Sequence, residues 1–80
     1  MKLRDTYRYV LRDGRKIVQF GISNGPRDRL NEHENDGKRF TTMAVVGPAV
    51  TREAALAWER KRIESYQQSH GGKKPQYNKI

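Results

Sequence analysis

The sequence predicts an α+β domain: a small three-stranded antiparallel sheet flanked by helices, in the order β-β-α-β-α. Three observations predict it. Residues 7–12 and 17–22 read as strands on either side of Asp13-Gly14, a hairpin signature. Two polar segments each open on a helix-start signal, Pro26 in one and Thr51 in the other. Between them, residues 40–46 are rich in Thr and Val and close at Gly47-Pro48, as a third strand would.

In the first strand Tyr7, Tyr9 and Leu11 alternate with Arg8, Val10 and Arg12. The return strand places Gln19 and Gly21 on one face and Val18, Phe20 and Ile22 on the other. Asn24-Gly25-Pro26 then punctuates the chain, with Asn or Gly as cap and Pro in the first turn of a helix carrying Arg29, Leu30 and His33. Asp36-Gly37 ends that helix. Thr51 caps the second, which runs from about residue 51 to 68. A polar loop, residues 70–74, leads to Pro75-Gln76-Tyr77-Asn78. Repeats and linkers are absent, so residues 1–80 form one domain.

Composition narrows the function classes. A chain of this length buries only about 60% of the surface its unfolded form exposes, and its mean hydropathy is −1.06. Seventeen Lys and Arg against nine Asp and Glu leave a net charge of +8, spread along the whole chain. Such a field favours a polyanion, and nucleic acid is the leading partner. No basic amphipathic segment carries the Trp/Phe/Leu face of a membrane-surface helix. The absence of cysteine excludes disulfides, thiolate zinc sites and a cysteine nucleophile, and two histidines are too few for a histidine metal cluster. No apolar run has the length of a membrane span or a signal peptide, so a soluble, cytoplasmic protein is expected.

One residue breaks the pattern. On the second helix Leu56, Glu59, Ile63 and Tyr66 follow at steps of three, four and three, which stacks them on one face. Three of them suit a core, whereas an ionised carboxylate is costly to bury unless it is paired or coordinates a metal. Glu59 therefore either pairs with Arg52, Arg62 or another base at the stripe's edge, or marks a cation site. Trp58 points about a quarter turn or more away and reads as a core or edge packer.

These pieces together resemble the GIY-YIG nuclease superfamily, over residues 7–78. The hairpin reads Tyr7-Arg8-Tyr9-Val10-Leu11 and Gln19-Phe20-Gly21-Ile22-Ser23. The first helix reads Arg27-Asp28-Arg29-Leu30-Asn31-Glu32-His33, similar to the family's Arg-Leu and His signature, and Glu59 and Pro75-Gln76-Tyr77-Asn78 follow in order. No single piece is specific; five in the right order make a fairly strong resemblance. The chain departs from the pattern at Gln19, which falls where the family has its second signature tyrosine, and at Tyr7, where the family usually has Gly. The register leaves Tyr7 or Tyr9 as the active tyrosine, and Tyr9 is preferred because ten residues separate it from Gln19.

The resemblance implies a role for each residue. Glu59 would hold one divalent cation, Mg²⁺ or Mn²⁺, against the scissile phosphate. Tyr9 would take the proton of the attacking water, with the cation and Arg29 favouring a phenolate over a phenol whose ordinary pKa is about 10. Arg29 would stabilise charge on the phosphoryl group. His33 would orient the water or contact phosphate, and Asn78 would hold the site by hydrogen bonds. Gln19 would position water or phosphate less well than a phenol. Contacts to nucleic acid fall to Tyr7, Lys16, Arg27, Lys38, Arg39, Lys73 and Lys74. Apart from the resemblance, the tyrosines are ordinary strand packers and Arg29 and His33 ordinary surface residues.

The function expected is metal-dependent hydrolysis of DNA phosphodiester bonds. The alternative is a nucleic-acid-binding module on the same scaffold, disabled by Gln19. A chain this small leaves no room for a specificity module, so weak sequence preference or delivery by a partner protein is expected. Cutting both strands would require a homodimer or two visits.

Overall fold

The computed structural model describes residues 3–78. Its elements are β1 (Arg4–Asp13), β2 (Lys16–Ser23), α1 (Pro26–Asn35), β3 (Thr42–Val45), β4 (Val50–Thr51) and α2 (Arg52–Ser69). β1 is the central strand, with β2 antiparallel along one edge and β3 and β4 antiparallel along the other. The architecture is α+β, an open antiparallel sheet with two helices.

Two elements differ from the sequence expectation. The third strand is shorter than residues 40–46, because Phe40 leaves the ladder to pack on the core. Gly47-Pro48 interrupts the edge without ending it. Proline has no N–H to give the ladder, and Gly47 turns at φ +66°. Beyond them Val50–Thr51 pairs again, with Thr6 and Arg4 respectively.

The hairpin closes through a two-residue loop, Asp13 facing Lys16, with Gly14 at φ +64° as primed turns require. Between Leu11 and Arg12 the register slips: Arg12 faces Ile17 while Leu11 faces Gln19. Val18 is the extra residue of a β-bulge. It joins Tyr9 and Leu11 in the core cluster, with Phe40, Met43 and Tyr77 against them, rather than lying with Phe20 and Ile22 as simple alternation predicts. Tyr9, Val10 and Leu11 are consecutively buried, so β1 is covered on both faces.

Helix α2 opens as predicted: the Thr51 hydroxyl accepts from the Ala54 N–H at 3.2 Å. Its inner face is rotated from the expected stripe. Ala55 is fully buried, and Trp58 and Tyr66 meet Phe20 edge-on at 5.9 and 6.4 Å. Two large rings and a small residue that permits close approach claim the sheet. Leu56 is left 40% exposed, and Glu59 and Ile63 sit half-buried at the border. Trp58 is a packer, as its position on the helix suggested.

The segment after α2 protects the sheet edge at β2. The Tyr77 N–H donates to the Val18 carbonyl at 2.8 Å. The Asn78 amide accepts from the Phe20 N–H and donates to the Phe20 carbonyl, both at 2.8 Å. Covering an edge in this way removes unpaired backbone groups from solvent.

Candidate active site

The bulge decides what faces Tyr9. A hairpin with this loop and no bulge would set Phe20 opposite Tyr9; the one-residue slip sets Gly21 there instead. The phenol ring lies directly across Gly21, where a Cβ would stand 2.2 Å from the ring Cζ. So placed, Tyr9 is 2% exposed and its Oη lies 2.8 Å from His33 Nε2. His33 is the one buried residue of α1, and this polar contact ties the helix to β1.

The other ring nitrogen of His33 is also engaged. Lys38 Nζ lies 2.8 Å from His33 Nδ1 and donates to Gln19 Oε1 at 3.0 Å. Its ammonium also stands 5.5 Å from the centre of the Tyr77 ring. Gln19, Lys38, His33 and Tyr9 therefore form one chain of polar contacts running from β2 through the loop after α1 to β1.

This arrangement bears on three expectations. His33, buried with both nitrogens engaged, does not reach out to orient a water or touch a phosphate. Lys38 is half-buried, with its ammonium engaged by His33 and Gln19. In the chain by itself, burial pushes the Tyr9 phenol pKa up to about 12, Arg29 pulls it down, and Glu59 and Glu32 push it up again. For His33, burial and then the Lys38 and Arg29 charges lower the pKa, against smaller opposing effects of Asp36 and Glu32. The imidazole is neutral at pH 7.

Glu59 lies across an open cleft of about 530 Å³, whose walls include Gln19, Arg60, Ile63, Tyr77 and Asn78. Burial raises its carboxyl pKa above the ordinary value. Among the described residues no basic side chain comes within ion-pair distance of it. The pairing with Arg52 or Arg62 is thus not made. Glu59 is also close enough to Tyr9 for its charge to be felt there, as is Arg29. Tyr9 thus feels the charges of one guanidinium and two carboxylates. Tyr7, the other tyrosine of the strand, faces Ser23 in the ladder.

Arg29 is exposed and pairs with Glu32 at 2.9 Å on its own helix. An exposed pair of this kind contributes about 0–1 kcal/mol, so an incoming anion can compete for the guanidinium. Asn78 clamps β2, with both polar atoms of its amide spent on Phe20. The basic residues divide between separate surfaces. Lys16, Lys73 and Lys74 ring a hollow of about 380 Å³ beside Tyr66 and His70, whose rings stack 3.7 Å apart. Arg27 borders a shallow groove of about 180 Å³ with Leu30 and Met43. Arg39 is exposed, and its N–H donates to the Tyr77 hydroxyl at 2.7 Å.

Among the described residues no three His, Cys, Asp or Glu side chains gather as a metal-binding group, and no helix is long and apolar enough to cross a membrane. Sequence reasoning missed Gly21 as the seat of the Tyr9 ring, Lys38 as a member of the site, and Tyr77 as a wall of the cleft. The hairpin loop pointed close to Gly21; nothing in the local pattern pointed to Lys38. No known family, curated protein or solved structure matches this chain.

Proposed function

We propose that this chain is a metal-dependent endonuclease of the GIY-YIG type, hydrolysing phosphodiester bonds in DNA. The observation that carries the reading is Glu59: a half-buried carboxylate, without an ion-pair partner among the described residues, in a chain of net charge +8. Burying an acid among so many bases and leaving it unpaired makes physical sense if a cation is its partner.

The residues fit Mg²⁺ or Mn²⁺ held by Glu59 alone, since such ions take oxygen ligands and are commonly bound through one or two carboxylates and substrate phosphate. When bound, the ion lowers the pKa of a water and offsets charge on the leaving oxygen. Arg29 lies where it can exchange Glu32 for a phosphoryl oxygen and spread the developing charge over its planar donors. Tyr9 takes the proton of the attacking water. Its phenol starts protonated at neutral pH and would have to give that proton to solvent before taking one from water; the Arg29 charge favours this loss and burial opposes it. Asn78 and Tyr77 hold β2 and the cleft wall in register. The lysine-ringed hollow beside Tyr66 and His70 suits a flanking stretch of phosphate backbone.

A second reading rests on Gln19, whose amide supplies no phenol and whose Oε1 is held by Lys38. It makes the chain a nucleic-acid-binding module that no longer cleaves. Supercoiled plasmid incubated with the protein and Mg²⁺ or Mn²⁺ separates the two. Relaxation that disappears with EDTA and with Glu59→Ala is expected. Salt-sensitive binding without cleavage in any metal would establish the binder, and cleavage that survives either control would overturn the role of Glu59.

A further inference from the structure

The chain from Gln19 to Tyr9 is more specific than a set of short distances, because hydrogen-bond chemistry fixes the direction of every link. A lysine ammonium has three donors and no acceptor. The His33 nitrogen facing it, Nδ1 at 2.8 Å, must therefore accept. Both imidazole nitrogens are engaged at 2.8 Å, so turning the ring over would set carbons against Lys38 and Tyr9. A neutral imidazole that accepts at Nδ1 carries its hydrogen on Nε2. That hydrogen points at Tyr9 Oη, and the tyrosine oxygen is the acceptor. The Gln19 amide completes the direction: its oxygen, not its nitrogen, faces Lys38.

We infer that Lys38, anchored by Gln19, locks His33 in the Nε2–H form, and that Lys38 is thereby a positioning residue for Tyr9. The consequence for Tyr9 depends on the sense of that one bond. A donor aimed at Oη stabilises a phenolate more than a phenol and leaves the hydroxyl hydrogen turned away from His33. In the opposite tautomer Nε2 would accept the phenol proton and hold it in place. Lys38 thus works against the burial that makes Tyr9 reluctant to ionise. It also gives Gln19 a task. The position needs an acceptor that steers an ammonium, and an amide oxygen supplies one without a phenol.

The tautomer itself is a property of the folded chain. Its importance to reaction rests on the nuclease reading above, so the test reads the two apart. In the ¹⁵N-labelled full chain without metal at pH 7, a long-range ¹H–¹⁵N correlation spectrum reports which imidazole nitrogen is protonated, and His33→Gln assigns the signals. The expected result is a protonated Nε2 in His33 of the wild type. In Lys38→Met the signal moves toward the Nδ1–H form, and in Lys38→Arg, another donor without an acceptor, the wild-type pattern returns. Gln19→Ala, which leaves Lys38 in place but unanchored, shows a partial shift. A protonated Nδ1 in the wild type, or a His33 pattern unchanged in a folded Lys38→Met, would overturn the inference. The wild-type spectrum decides even where a variant does not fold. In the plasmid assay Lys38→Met is expected to cut about tenfold more slowly, the effect of about one unit in the phenol pKa, with Lys38→Arg restoring the rate. The predicted tautomer in a protein that never cuts DNA would leave this inference standing and remove the nuclease reading alone.

Discussion

Replacing Gly21 with alanine tests the geometry on which the site is built. In an extended strand this change would ordinarily stabilise the protein by about 0.4–1 kcal/mol, because the unfolded chain loses freedom. Here the new methyl would stand 2.2 Å from Tyr9 Cζ and 2.3 Å from Oη. Carbon atoms in contact sit about 3.5 Å apart, so the ring must retreat by roughly 1.3 Å. Tyr9 is 2% exposed and belongs to the core cluster, which leaves no free space behind it. A retreat of that size also breaks the 2.8 Å contact with His33. Overpacking costs about 1–3 kcal/mol and the lost buried hydrogen bond about 1 kcal/mol. Offset by the unfolded-state gain, the net is a destabilisation of about 2–3 kcal/mol, or roughly 10–20 °C in Tm for a domain of this size. Urea denaturation of wild type and Gly21→Ala measures it. The same substitution in a Tyr9→Leu background, where no ring lies across position 21, should cost less than half as much. A Gly21→Ala protein within about 0.5 kcal/mol of wild type, inside the ordinary spread of harmless substitutions, would refute the placement of the ring. An equal penalty in both backgrounds would refute the proposed cause.

Three further outcomes follow from the same geometry. Burial raises the Glu59 carboxyl, so the fold binds that proton more readily than the unfolded chain does. The stability this confers is full below the ordinary carboxylate range and is lost as pH rises through the raised value. Glu59→Gln should therefore gain on wild type between about pH 4 and pH 7 in metal-free urea titrations, and a constant difference across that range would mean the carboxylate is solvated. His33 has the opposite sign: its pKa is lowered, so its contribution is present above about 6.5 and disappears as pH falls through the lowered value. His33→Gln should flatten that acid limb, and an unaltered limb would place its cause elsewhere. Asn78→Ala strips partners from both the N–H and the carbonyl of Phe20; a loss of about 1–3 kcal/mol is expected, with faster hydrogen exchange at the Phe20 amide, and an unchanged exchange rate would contradict the clamp.

The hairpin, both helix starts and the misplaced Glu59 were legible because each depends on neighbours in sequence. Asp13-Gly14 sets a primed turn, Pro26 and Thr51 announce helices, and an acid among Leu56, Ile63 and Tyr66 is anomalous wherever the helix packs. The bulge at Val18 was not legible. A strand's alternation continues smoothly through residues 17–22, and only packing against β1 and the tail decides that one residue is left over. That single slip exchanges Phe20 for Gly21 opposite Tyr9, and with it the whole setting of the phenol. The rotation of α2 was hidden for a related reason. Leu56 and Trp58 compete for the sheet, and the larger ring prevails only because Phe20 is there to receive its edge. Lys38 was hidden by its charge, since one lysine among seventeen basic residues reads as surface until a buried histidine turns a nitrogen toward it.

The two acid–base groups at the centre of the site are pushed in unhelpful directions by the same cause. Burial raises Tyr9 to about 12 and lifts Glu59 above the normal carboxylate range, although a base and a metal ligand would both be served by the anion. A stability argument would remove both groups: phenylalanine at one and glutamine at the other fill the same space with less desolvation of charge. What distinguishes a site from a defect is whether the surroundings anticipate the charged forms. Around Tyr9 they do, with Arg29 lowering its pKa and the His33 nitrogen carrying a donor set by Lys38. Around Glu59 no basic side chain comes within ion-pair distance among the described residues, even though Arg60 and Lys74 line the same cleft. A protein with this excess of cations has every means of pairing that acid internally. Leaving it unpaired is the feature the proposed function explains: on that reading the missing positive charge is supplied from outside the chain, by an ion that Glu59 would hold.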